Sequence, residues 1–121
     1  ISYHYGILNL KKSQGDKMKL KINNQIINLE KANTPIKRLV GFMFQRNIST
    51  ALVFKTKSIH TFFMKENIDV IITNKDNITI DFKKNLEKNK IIFNKNAYYI
   101  YELPNNFIKN LKKGDKLELF N

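Results

Sequence analysis

His60 stands first among the residues able to do chemistry, because imidazole titrates near neutrality and serves as base, ligand or hydrogen-bond donor. Residues 59–64 read as a strand, with His60, Phe62 and Met64 on one face and Ile59, Thr61 and Phe63 on the other. Two carboxylates lie inside apolar runs: Asp69 between Ile68 and Val70, and Glu102 between Tyr101 and Leu103. A carboxylate so placed needs a partner, because an unpaired buried charge is costly and normally shifts its pKa instead. The natural partners are His60, Arg38 and Arg46. The leading reading is a polar cleft formed by His60, Met64, Asp69, Glu102, Arg38 and Arg46, which would make the protein a small non-enzymatic binding or accessory domain for an unidentified small ligand or protein. The alternative is a hydrolase-like enzyme in which His60 acts as base and Asp69 or Glu102 orients it. Against both stands a structural account, in which the carboxylates form ion pairs or turn caps and the histidine is satisfied by hydrogen bonds.

Metal and cofactor chemistry find little footing. His4 and His60 are the only histidines and cysteine is absent, so a catalytic zinc set would have to recruit carboxylates. Residues 74–77 lack the glycine and spaced carboxylates of a calcium loop. GxSxG, P-loop and dinucleotide fingerprints are missing. No metal, cofactor or assigned catalytic residue is therefore expected.

A second alternative is single-stranded nucleic-acid binding. The net charge is +12, and Tyr98, Tyr99 and Tyr101 could stack bases beside lysines. Tyr99 and Tyr101 share one strand face, and burial in the core is the competing fate for them. Only Arg38 and Arg46 among the 22 basic residues are arginine, the side chain whose planar fork suits base and phosphate readout. Lys, Asn and Ile make up nearly half the chain and are specified by AT-rich codons, which gives the lysine excess a genomic explanation as well.

The elements that must position these residues are mostly strands. At 121 residues, 42% of them hydrophobic, the chain fits one domain with one core. It contains nothing like the roughly 18 consecutive apolar residues of a membrane-spanning helix. Residues 1–17 lack the pattern of a secretory signal and read as an N-terminal extension, so the expected compartment is the cytoplasm. Residues 18–121 read as a single β-rich domain. Leu20 and Ile22, then Ile27 and Leu29, alternate around Asn23-Asn24 and predict a hairpin. Thr34-Pro35 opens a short helix over 35–44. Strands follow over 51–54, 59–64, 68–73, 78–82, 91–93, 97–103 and 116–120, with turns at 74–77 and at Gly114-Asp115 and one or two helical turns within 104–111. The fold class is mainly β: a compact sandwich or barrel-like domain with one or two short helices.

Several segments in order resemble a known family. They are Ala32-Asn33-Thr34-Pro35, Arg38, Gly41-Phe42-Met43-Phe44, Ile59-His60-Thr61-Phe62-Phe63-Met64, Ile68-Asp69-Val70, Glu102-Leu103-Pro104 and Gly114-Asp115. Together they are similar to the bacterial and archaeal domain of unknown function 192. The resemblance implies a compact, mostly β fold with one or two short helices, and no mechanism. The chain departs from the family pattern at Asn33, where Asp is usual, at Phe42, where Leu is usual, and at Gln45-Arg46, where the family's arginine directly follows the aromatic residue.

Overall fold

The computed structural model describes residues 18–32, 49–62 and 64–121. The helix expected over 35–44, together with Arg38 and Arg46, lies outside the described residues. Nine strands form among those described: β1 (Met18–Ile22), β2 (Gln25–Lys31), β3 (Thr50–Phe54), β4 (Ser58–His60), β5 (Ile68–Thr73), β6 (Thr79–Leu86), β7 (Ile91–Phe93), β8 (Tyr99–Pro104) and β9 (Glu118–Phe120). Seven of them make one sheet in the order β6-β5-β8-β3-β2-β1-β9, curled into a half-barrel, and β4 pairs with β7 in a separate ribbon. The fold is mainly β, as the residue pattern requires.

The local chemistry explains the turns. Asn23 adopts a φ of 53° between β1 and β2, whose register runs from Met18↔Leu29 to Ile22↔Gln25. Between β5 and β6, Asn74 Oδ1 accepts the N–H groups of Asp76 and Ile78 at 2.9 and 3.0 Å, while Asn77 takes a φ of 63°. Asparagine enters the left-handed region more readily than other non-glycine residues and bonds its own neighbours, so this chain turns on Asn where others use Gly. Gly114, at φ 97°, turns the chain into β9 as expected.

Two expectations need correction. The strand expected over 59–64 stops at His60, because Thr61 bonds sideways to the segment before β7: its Oγ1 donates to the Glu87 carbonyl and accepts Lys90 N–H, each at 2.8 Å. Met64 N–H then donates to the Thr61 carbonyl. Within 104–111, Pro104 closes β8 and the residues after it form a turn and bends in place of helix, since Asn106 sits at φ 66° and Ile108 N–H goes to the carboxylate of Asp69.

Apolar side chains fill both faces of the large sheet. One face gathers Leu20, Leu29, Val53, Ile71, Tyr101 and Leu103 beneath Ile108, Leu111 and Leu117. The other gathers Phe54, Ile68, Val70, Ile72 and Ile100, with the β4-β7 ribbon contributing Ile59 and Ile92. Neighbouring strands β5 and β8 are consequently buried on both sides. Ile100→Ala should cost about 2–5 kcal/mol for the lost methyl groups and the cavity left behind. Ile26→Ala, at a position 56% exposed, should stay within about 0.5 kcal/mol of wild type; urea unfolding of the two variants checks the contrast.

Candidate functional site

Strand pairing decides which polar residues can meet. β5 and β8 run antiparallel in the register Asp69↔Leu103, Val70↔Glu102 and Ile71↔Tyr101. Directly opposed residues share a face and successive residues alternate, so Asp69 and Glu102 project to opposite sides of the sheet. The two carboxylates therefore do not line one cleft.

Asp69 works as a brace. It is fully buried, its Oδ1 accepts Asn85 N–H at 2.8 Å and its Oδ2 accepts Ile108 N–H at 2.9 Å. One side chain thereby fastens the irregular end of β6, where Asn85 has a φ of 57°, and the segment after β8. Both oxygens serve backbone amides that would otherwise be orphaned.

Glu102 is different. It lies in the row Glu30–Leu52–Glu102–Val70–Lys83, which crosses five strands, on the face that carries Ile100 and Met64. Its side chain is 3% exposed, and among the described residues Oε1 has no hydrogen-bond partner. Burial pushes its pKa up to about 8, so the carboxyl is mostly protonated at neutral pH.

His60 belongs to a third place. It sits opposite Ile91 on the outer face of the β4-β7 ribbon, while Ile59 points into the core. Its Nδ1 accepts Phe62 N–H at 3.2 Å, its ring stacks on Phe62 at 4.9 Å, and it makes no hydrogen bond to a carboxylate among the described residues. The structure thus sets Met64 and Glu102 on one face of the sheet, Asp69 on the other and His60 outside both. Of the tyrosines among the described residues, Tyr99 and Tyr101 are core residues, the latter donating to Asn77 Oδ1, and only Tyr98 stays open, with Lys55 Nζ 5.0 Å from its ring centre. Burial first, then neighbouring Tyr98, raises the Tyr99 pKa.

Sequence reasoning overlooked Lys31, which is buried on the face opposite Glu102, in the row Lys31–Val53–Tyr101–Ile71–Phe82. The signal was present: Ile27, Leu29 and Lys31 continue one period-two set.

These environments make two predictions. Asp69→Ala strands two amides and should destabilise the protein by about 2–5 kcal/mol in urea unfolding, with Asp69→Asn costing less because one acceptor remains. For Glu102 the folded pKa of about 8 exceeds the ordinary value of 4.5, so the folded state holds its proton more tightly. The associated stability is complete below pH 4.5 and is lost as pH rises through 8, at up to about 1.4 kcal/mol per pH unit. Glu102→Gln should flatten that decline and exceed wild type in stability at pH 8; unfolding free energies measured across the pH range check it.

Comparison with known proteins agrees with this architecture. The family profile of DUF192, described as "Uncharacterized ACR", matches residues 18–119. UPF0127 protein TK1120 of Thermococcus kodakarensis is 37% identical over 69% of this chain and 59% of its own length. A UPF0127 protein of Thermococcus gammatolerans is 34% identical over 72% of this chain and 63% of its own. The chain therefore spans about six-tenths of the length of these relatives. A candidate transcription regulator from Sinorhizobium meliloti shares the fold with a TM-score of 0.73 at 19% identity, covering 84% of this chain and 91% of that one. A protein of unknown function from Novosphingobium aromaticivorans does so with a TM-score of 0.69 at 15% identity, covering 84% and 83%. With the sequence motifs, the strand architecture and a profile spanning most of its length in agreement, the chain belongs to the DUF192 family.

Proposed function

We propose that the protein is a non-enzymatic binding or accessory domain whose ligand contacts Glu102. One observation carries the reading: a buried carboxyl in the middle of the sheet has an oxygen with no hydrogen-bond partner among the described residues. Leaving such an oxygen unsatisfied costs free energy, about 1–3 kcal/mol. A donor group arriving from a ligand recovers that cost. The surroundings define the ligand class: Leu52, only partly buried, offers apolar contact, and Glu102, set among buried Val70, Ile100 and Met64, offers one directional polar anchor. Such a mixture suits a small molecule, or a side chain of a partner protein, that carries an amine or amide on an apolar body.

Acid-base catalysis by His60 has less to support it. The Nδ1 of His60 is taken by a backbone amide, and both oxygens of Asp69 are likewise taken. Neither residue is held where it could orient the other.

The test is a thermal-shift and calorimetry screen of small alkylamines, guanidines and primary amides on the wild type and on Glu102→Gln. A stabilising compound should bind at least about tenfold more weakly to the variant, the equivalent of about 1.4 kcal/mol. Amine binding should release a proton below pH 8, because the cation favours the ionised carboxyl. A ligand whose affinity is unchanged by Glu102→Gln would contradict the assignment.

A further inference from the structure

The β4-β7 ribbon leaves its outer face exposed. Its inner residues, Ile59 and Ile92, join the core, whereas the outer face carries Ser58, His60, Ile91 and Phe93. Ile91 is 66% and Phe93 68% exposed, and Phe62, 36% exposed, stacks on His60 to continue the apolar strip. Single exposed apolar residues are common on protein surfaces, but a strip of three such neighbours around one ribbon is not.

Lysines close both ends of the strip. At one end Lys57 and Lys95 are tied together, with Lys57 Nζ donating to the Lys95 carbonyl at 2.9 Å and Asn94 N–H donating to the Lys57 carbonyl at 2.9 Å. At the other end Lys90 is held through Thr61, and Lys88 stands in the same turn. All four are exposed, and the nearby acidic residues in sequence are Glu66 and Glu87.

We infer that this face docks on an anionic lipid bilayer, with Ile91, Phe93 and Phe62 entering the interface and Lys88, Lys90 and Lys95 meeting the headgroups. The side-chain chemistry selects this partner over others. Protein interfaces favour arginine and are depleted of lysine, and phosphate readout on nucleic acid favours the forked guanidinium. Lysine is a mobile point charge that needs no fixed geometry, which suits a diffuse anionic plane, and Phe with Ile supplies the apolar insertion. A second copy docked face to face would bring like-charged lysines together. The chain's net charge of +12 adds long-range attraction.

The experiment is co-sedimentation of the full chain with phosphatidylcholine vesicles and with vesicles in which part of that lipid is replaced by phosphatidylglycerol. It uses the wild type, Ile91→Thr/Phe93→Thr and Lys88→Gln/Lys90→Gln/Lys95→Gln, with a single-stranded oligonucleotide as competitor. Threonine keeps the β-branched preference of a strand, so both variants should unfold at the wild-type temperature. The wild type should bind only the phosphatidylglycerol vesicles, less so as salt rises, and each variant should bind at least about tenfold more weakly. Absence of binding to anionic vesicles overturns the inference. So does wild-type binding by the Ile91→Thr/Phe93→Thr variant, which would reduce the effect to bare charge, and so does oligonucleotide binding that the strip substitutions abolish while vesicle binding persists.

Discussion

The pairing of β5 with β8 is the constraint from which the rest of the molecule follows. Six residue pairs run from Ile68↔Pro104 to Thr73↔Tyr99, and both faces of both strands are covered. A strand buried on two sides cannot send its polar residues to water, so each one must find a partner inside or give up its charge. Asp69 takes the first course by accepting two backbone amides, and Glu102 takes the second by holding its proton. The same alternation that gives the sheet two apolar faces places these carboxylates on opposite sides. Their different fates follow from what each face offers.

On the proposed reading, this arrangement divides structural from ligand-binding work. The Asp69 face joins the irregular end of β6 to the segment after β8, so its carboxylate is committed to holding the fold. The Glu102 face ends in Glu30 at one side and Lys83 at the other, with Leu52 only partly covered between. On the proposed reading, a group that donates a hydrogen bond there meets an acceptor that is unsatisfied among the described residues. Rigid strands position such an anchor more accurately than loops do. The β4-β7 ribbon, by contrast, is fixed through its inner residues and leaves its outer ones to the surroundings.

Much of the architecture was legible from residue order. The alternation in residues 18–29 located the hairpin, the runs 68–73 and 91–93 coincide with β5 and β7, and the asparagine turns fall where side chains able to bond their own backbone cluster. Local pattern failed where a distant segment intervened. The strand through His60 ends early because Thr61 bonds to residues near Lys90, and residues 104–111 avoid helix because Asp69, far away in the chain, captures Ile108 N–H. The expectation that Asp69 and Glu102 share one cleft failed for the same reason. Each strand's own alternation was readable, but the register between β5 and β8, which sets Asp69 and Glu102 back to back, is a non-local property.

The most direct test of the central claim is a carbon-13 NMR titration of the Glu102 side-chain carboxyl, assigned by comparison with Glu102→Gln. A carboxyl buried in the sheet, with no countercharge among the described residues, should titrate near pH 8 in the folded protein, well above the ordinary 4.5. Titration in the ordinary carboxylate range would mean that Glu102 is solvated or paired with a cation, and the account of a neutral, unsatisfied anchor at the centre of the site would be wrong.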